Sequence, residues 1–421
     1  MRYSKMLLIF CALMLFVSFT AMAADTKLTW YHCCGQKERV ELFNAWAREF
    51  EAQNPGVKVD AIYPVTAAGE VYYDKIAVAI ASDMAPDVIW AGHGVWVLAD
   101  QLMPLDDLYK SNSMIREIVP NMLDNHRWQG NLIAIPFGVN THAFYYNKDV
   151  LAASGQVMPK DWSWDQAIPM TQRLTSDTNG DGVPDVWGMA FTETAHVLNY
   201  EGNVYTPDLR KVTIDNPVTI AGFQMTADIM TDRYSNCYNR AAGTAANAFN
   251  GFLSGTLAMM SRGVFDIPTV TKSASFDWDV AMFPKLVVNG RDYRSSYFSQ
   301  ETWAIYKGTK DPALAKKFLS FIMQKEHMGQ FAKLGAVVPT QASVAVNYFL
   351  NMNKPANIKA FTDTLYWYKN SERNHPASLR IDSFTTFKDI MAGRIPASTG
   401  VPELARQMNA VLDDYWASRG K

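Results

Sequence analysis

KLTWYHCCGQKERVELFNAWAREFEAQNPGVKVDAIYP, residues 27–64, decides the fold class. Its first eight residues form a β-rich run that ends in small side chains. Val40, Phe43, Trp46, Ala47 and Phe50 then recur at helical spacing. Asn54-Pro55-Gly56 stops that helix, because proline breaks the hydrogen-bond ladder and glycine accepts the left-handed turn that follows. VKVDAIYP, residues 57–64, is the next strand. The alternation continues with a helix over VYYDKIAVAIASDMA (71–85) and a short apolar strand in PDVIWAG (86–92). Strand and helix in strict turn predict an α/β fold with a mostly parallel sheet flanked by helices. In such sheets ligands bind beyond the carboxyl ends of the strands. The loops from His32 to Lys37 and from Ala91 to Trp96 are therefore the first places to look for a site.

Outward from this core, NLIAIPFGVNTHAFYYNKDVLAASG (131–155) reads as two strands and the start of a helix. WSWDQAIPMTQRLTSD (162–177) reads as a helix capped by Ser163 or Asp165. Helices are predicted at about 216–232, 245–253, 311–324, 325–334, 341–350, 355–369 and 402–417. FDWDVAMFP (276–284) and ETWAIYKG (301–308) are late strands. The chain has no internal repeat, charge block or low-complexity linker.

The amino terminus carries Arg2 and Lys5, an apolar run from Met6 to Phe19, and Ala21-Met22-Ala23. That is the layout of a cleaved signal peptide at residues 1–23. The run is too short to span a membrane comfortably, and Cys11 lacks the small residues that precede a lipidated cysteine. An exported, soluble mature chain is expected. Of the 421 residues, 398 remain after cleavage, too many for one compact core and suited to two lobes. With no linker visible, the chain should cross between the lobes more than once. Net charge moves from −2 to −4 as Arg2 and Lys5 leave, which gives no reason to expect a nucleic-acid partner. Thirteen per cent of residues are aromatic, with 12 Trp. This surplus suits sugar or peptide stacking, and equally a tryptophan-rich core. Cys33, Cys34 and Cys237 remain after cleavage. They leave one disulfide open to Cys237 and no zinc-type pair.

DTNGDGVPDVWG, residues 177–188, resembles a calcium loop. Asp177, Asn179, Asp181 and Asp185 take alternating ligand positions and Gly182 the sharp turn. The twelfth position, which should hold a bidentate glutamate, is Gly188. Two readings stand: a structural calcium, or a turn in which Asp and Asn cap their own backbone. No cofactor is otherwise required.

Six segments in order carry a family resemblance: FNAWAREFEAQNPGVKV (43–59), AIASDMAPDVIWAG (79–92), GNLIAIPFGVNTHAFYYNKDVL (130–151), TSDTNGDGVPDVWGMAF (175–191), FLSGTLAMMSRGVF (252–265) and WAIYKGTKDPALAKKFLSFIM (303–323). The chain resembles, from about residue 27 to its end, the extracellular solute-binding proteins of ABC importers, in the large sugar-binding branch. The resemblance implies a two-lobed periplasmic-binding-protein fold with a cleft between the lobes. It places the amino-terminal lobe at 24–138 and 299–348 and the carboxy-terminal lobe at 139–298 and 349–421. It implies a monomer in a Gram-negative periplasm that performs no covalent chemistry. Such a protein captures a carbohydrate or related polar solute and delivers it to a membrane permease.

Matching segments places the expected solute contacts. In the first lobe these are His32, Gln36, Trp90 and His93. At the crossing stands Asn140, where relatives of that branch have an acidic residue. In the second lobe they are Glu193, His196, Arg262, Gly263 and Phe265, with Trp367 and Arg380 near the carboxyl end. Phe265 would stack on a sugar face or belong to the core. Arg262 and Arg380 suggest a carboxylate or phosphate on the solute. The alternative is that each pairs with a nearby acid, Asp266 or Asp382. The rival function is an exported glycan-active enzyme with a structural calcium. Against it, no pair of flanking carboxylates and no nucleophile or metalloprotease motif can be recognised.

Overall fold

In a computed structural model, the structure describes residues 26–33, 37–63, 70–191, 198, 200, 204–231, 245–335, 337–367 and 379–420. Strand β1 (Thr26–Tyr31), helix α1 (Lys37–Gln53), β2 (Val57–Ile62), α2 (Glu70–Ala81) and β3 (Val88–Trp90) follow the alternation expected from the opening stretch. β1 pairs in parallel with both β2 and β3. Gly56 adopts φ +84° at the stop after α1, a conformation open to glycine at little steric cost. α1 turns Arg39, Phe43, Trp46, Ala47 and Phe50 inward.

The chain then forms a small hairpin of β4 (Arg127–Trp128) and β5 (Asn131–Leu132). It continues into β6 (Ile135–Asn147), the strand that joins the lobes. Next come α3 (Trp164–Leu174), β7 (Trp187–Ala190), α4 (Pro217–Thr231), α5 (Ala245–Leu253), β8 (Leu257–Gly263) and β9 (Trp278–Ala281). A hairpin of β10 (Leu286–Val288) and β11 (Arg291–Tyr293) precedes β12 (Phe298–Ile305). The remainder holds α6 (Pro312–Ile322), α7 (Lys325–Lys333), β13 (Val338–Pro339) and the long α8 (Ala397–Ala417).

β6 changes partners along its length. From Ile135 to Thr141 it pairs antiparallel with β12, and near Val139 with β13. From His142 to Asn147 it pairs with β8 and β9. Thus two lobes share one strand, and the change of partner falls between Thr141 and His142. β12 runs back beside β6 and also pairs with β3, so the chain re-enters the first lobe there. The second lobe adds the parallel pair β7–β8.

Ten of the twelve tryptophans are buried, with Trp30, Trp46, Trp162, Trp164 and Trp303 among the largest fully buried side chains. The aromatic surplus is thus mostly core. At the start of α3, Ser163 N–H donates to Gln166 Oε1 at 3.0 Å, one half of a capping box. Two of the predicted helices differ in extent from expectation. α8 begins at Ala397, five residues before Pro402, because Ala397, Gly400 and Val401 are buried in the lobe. The run predicted at 355–369 is short, Lys359–Asp363 followed by a tighter turn over Thr364–Trp367. Among the described residues no helix is long and apolar enough to cross a membrane.

Candidate functional site

β12 places a carboxylate inside a buried strand. Glu301 is only 4% exposed, so its charge must be compensated locally. Three groups reach it from three segments. Arg39 Nη2, from the first turns of α1, lies 3.2 Å from Oε2, and both side chains are almost wholly buried. The Trp90 indole N–H, at the end of β3, donates to Oε2 at 2.5 Å. Asn140 Nδ2, on β6, donates to Oε1 at 3.2 Å. Arg39 also lies over the Phe331 ring at 5.0 Å. Because a carboxylate only accepts, it fixes the Asn140 amide with nitrogen toward Glu301 and Oδ1 directed elsewhere. Among the described residues that oxygen has no partner.

Trp90 is itself clamped. Tyr72 Oη donates to its carbonyl at 2.8 Å, and Tyr73 stacks on it at 6.5 Å. Gly92 has φ +47°, and a Cβ there would come within 2.3 Å of the Trp90 ring, so only glycine permits the approach. At 3% exposure Trp90 supports the junction from inside, which corrects its expected place on the solute-facing surface. His32 is corrected in the same way. Its ring lies between Phe43 at 4.7 Å and Tyr63 at 4.5 Å, and it has no exposed surface. Burial, aided by the Arg39 charge, holds its imidazole well below the ordinary histidine range and therefore neutral.

Across the partner switch, β8 delivers Arg262 and Gly263, and the turn after it delivers Phe265. A Cβ on Gly263 would fall 2.2 Å from the Phe265 ring, so the glycine lets that ring fold back against the strand. Phe265 keeps 40% of its surface exposed, which makes it an accessible aromatic face. His142 sets its edge against Phe265 at 5.8 Å and Tyr297 at 4.8 Å. Asn140 and His142 are two apart on β6 and share one face of the strand. They join the Glu301 node of the first lobe to the Phe265 platform of the second.

The arginines expected to read an anion are both engaged. Arg262 Nε lies 2.6 Å from Asp266 Oδ2, and its guanidinium lies over Phe249 at 5.0 Å. Arg380 lies 3.1 Å from Asp382 on the surface. The pairing with neighbouring acids that stood as the alternative is what the structure contains. Trp367 closes its turn beneath Arg294, whose guanidinium is 5.3 Å from the ring, and Arg294 pairs with Asp161. Gln36, Glu193, His196 and the side chain of His93 lie outside the described residues. So do Cys34 and Cys237, while Cys33 is disulfide-bonded and buried.

The loop at 177–185 closes on itself. Asp177 accepts from the backbone N–H groups of Gly180 and Gly182 at 2.7 and 2.8 Å. Asp185 accepts from the Thr178 N–H at 2.7 Å and from Asn179 Nδ2 at 3.1 Å. Asn179 and Asp181 cap the N–H groups two residues on. Among the described residues no group of three or more His, Cys, Asp or Glu is arranged to hold a metal.

Glu301, Arg39, His142 and Tyr297 were missed from sequence. Two signals were available. Arg39 falls on the same helical stripe as Phe43, Trp46 and Phe50, where a charge is out of place, and Glu301 is the one charged residue in its strand.

Residues 36–329 match the family model described as bacterial extracellular solute-binding protein. A maltotriose-binding protein of Pyrococcus abyssi is 24% identical over 73% of this chain, and the match spans 65% of that relative's own length. Among solved structures, the sugar-binding protein MalE of Xanthomonas citri superposes with a TM-score of 0.75 at 17% identity. It covers 94% of this chain and all of its own. An ABC substrate-binding protein of Listeria monocytogenes, solved with cycloalternan, gives 0.74 at 19% identity over 92% of this chain and 99% of its own. At these identities the likeness is one of fold.

Proposed function

The chain belongs to the family of bacterial extracellular solute-binding proteins, and we propose that it captures a sugar or sugar derivative between its lobes and hands it to an ABC permease in the membrane. The observation that carries this reading is the strand β6. It passes from one lobe to the other and bears Asn140 beside the first-lobe Glu301 node and His142 beside the exposed face of Phe265. An aromatic face can stack on the apolar face of a pyranose while the Asn140 amide oxygen, turned away from Glu301, accepts from a hydroxyl. A solute that touches both lobes stabilises the closed arrangement, which is the physical basis of capture by hinge motion. The sugars named with the relatives, maltotriose and cycloalternan, set the first compounds to try. Because Arg262 and Arg380 face aspartates, a neutral solute is favoured over an anionic one. The amino-terminal residues support export to the periplasm, with a mature chain beginning at Ala24.

The test is a thermal-stability panel on the mature protein with maltotriose, larger glucans, uronates and sugar phosphates. A solute at about one hundred times its dissociation constant adds about 2.7 kcal/mol of stability. The expected result is an upward shift with neutral oligosaccharides, with the solute recovered chemically unchanged. Cleavage of the solute would overturn the reading in favour of an enzyme. A shift confined to uronates or sugar phosphates would overturn the neutral-solute reading.

A further inference from the structure

α8 belongs to the second lobe for most of its length, with Leu404, Ala405, Met408 and Leu412 buried and Asn409 Oδ1 accepting from the Val212 N–H at 2.8 Å. Its last turn does something different. Trp416 stacks on Trp128 with ring centroids 5.9 Å apart and planes 16° from parallel. Trp128 is part of the first-lobe hairpin β4–β5. It lies edge-on to Trp96 at 6.5 Å and donates its indole N–H to Asp100 Oδ1 at 3.0 Å. Trp416 is held from the second lobe as well. Arg210 lies over its ring at 4.7 Å, and its indole N–H donates to the Leu209 carbonyl at 3.3 Å. Leu209 presents that carbonyl from φ +59°, a conformation a leucine rarely adopts. Just beyond the helix, Arg419 lies over Tyr415 at 3.9 Å and reaches Asp100 Oδ2 at 3.6 Å.

Arg210, Trp416 and Trp128 thus run as a continuous stack from one lobe to the other. A rotation about β6 and β12 moves Trp128 relative to Leu209 and Arg210, so the stack survives in one lobe arrangement only. Trp416 is 8% exposed, and separating it from Trp128 would return aromatic surface from both rings to water. We propose that the carboxy-terminal turn is an interlobe clasp, with Trp416 as its pin and the Arg419–Asp100 pair as its outer tie. The clasp sets how much of the free protein occupies this lobe arrangement. Apparent solute affinity scales with the populated fraction of the competent arrangement, so the clasp tunes capture from a surface of the protein distinct from the Asn140–Phe265 site.

The test needs no solute, so its failure is separate from failure of the sugar reading. Spin labels on a non-natural ketone amino acid at Val78 of the first lobe and Val157 of the second, both exposed, leave the native disulfide untouched. Pulsed dipolar spectroscopy on the full mature chain reads the distance between lobes. The wild-type protein is expected to show one narrow distance, W416A a broadened or displaced distribution, and W416F a distribution close to wild type. R419Q is expected to fall between. An unchanged distribution in a folded W416A protein would overturn the clasp. Should W416A fail to fold, W416L keeps apolar bulk in the second lobe while removing the ring stack, and an unchanged distribution there would overturn it equally.

Discussion

Replacing Glu301 with glutamine keeps the shape of the side chain and removes the charge that neutralises Arg39. Arg39 and Glu301 are 9% and 5% exposed as side chains, so water cannot take over that role without opening the lobe. Breaking a buried pair by removing one partner costs about 3–5 kcal/mol, because the other charge is left buried and uncompensated. The Trp90 bond can survive to the amide oxygen of the new glutamine. Its NH2 would then face the Asn140 amide nitrogen, donor against donor, and Arg39 would meet a neutral oxygen in place of a carboxylate. Loss near the middle of that range is therefore expected, read as a shift in the midpoint of urea unfolding with an unchanged slope. The double variant R39M/E301L is the informative control. Replacing both charges by apolar groups of similar size is often neutral or stabilising, but the Trp90 and Asn140 donors lose their acceptor, so it is expected to recover part of what E301Q loses. A loss below about 1 kcal/mol in E301Q is the range of a solvated surface pair and would refute the compensated node. So would a double variant as weak as the single one. Solute affinity in E301Q should fall as well, because the Asn140 amide is released from its fixed orientation.

G263A is expected to push the Phe265 ring off the strand. Overpacking of this kind costs about 1–3 kcal/mol, measured by urea unfolding, and loss of solute stacking should accompany it in titration calorimetry. Asp277, held by Lys148 and Lys354, has its carboxyl drawn from 3.8 down to about 2. Its stabilising contribution is therefore present above pH 3.8 and lost as pH falls through 2. D277N should cost a fraction of a kcal/mol, roughly the surface-pair range, at pH 7 and much less at pH 2 in chemical unfolding. Burial lowers the His126 imidazole from 6.5 to about 4. The unfolded chain then binds the extra proton first, so stability falls as pH drops below 6.5 and levels off near 4. H126Q should flatten that part of the stability profile, and an unchanged slope would count against a neutral buried imidazole.

Where local geometry alone decides, the sequence was legible. The α1 stripe, the glycine stop at Gly56, the capped start of α3 and the span of α5 rest on contacts within a few residues, and periodicity reports those directly. The ordered segments likewise carried the family, and with it the expectation of two lobes. The site itself was not readable in this way. His32, at the end of a strand, looked like a polar group reaching a solute. It is closed between Phe43 and Tyr63, which converge on it from elements separate in the chain. Trp90 looked like a solute contact, yet Glu301 takes its indole N–H from a strand more than two hundred residues away. What a side chain chemically offers depends on which of its atoms are already spent, and a buried charge is spent on whatever the fold brings beside it. Composition and spacing determine which segments become strands and helices and which stripe turns inward. Only the tertiary structure decides that Arg39, Trp90 and Asn140 meet at one carboxylate, that Phe265 stays open, and that Trp416 closes across the lobes on Trp128.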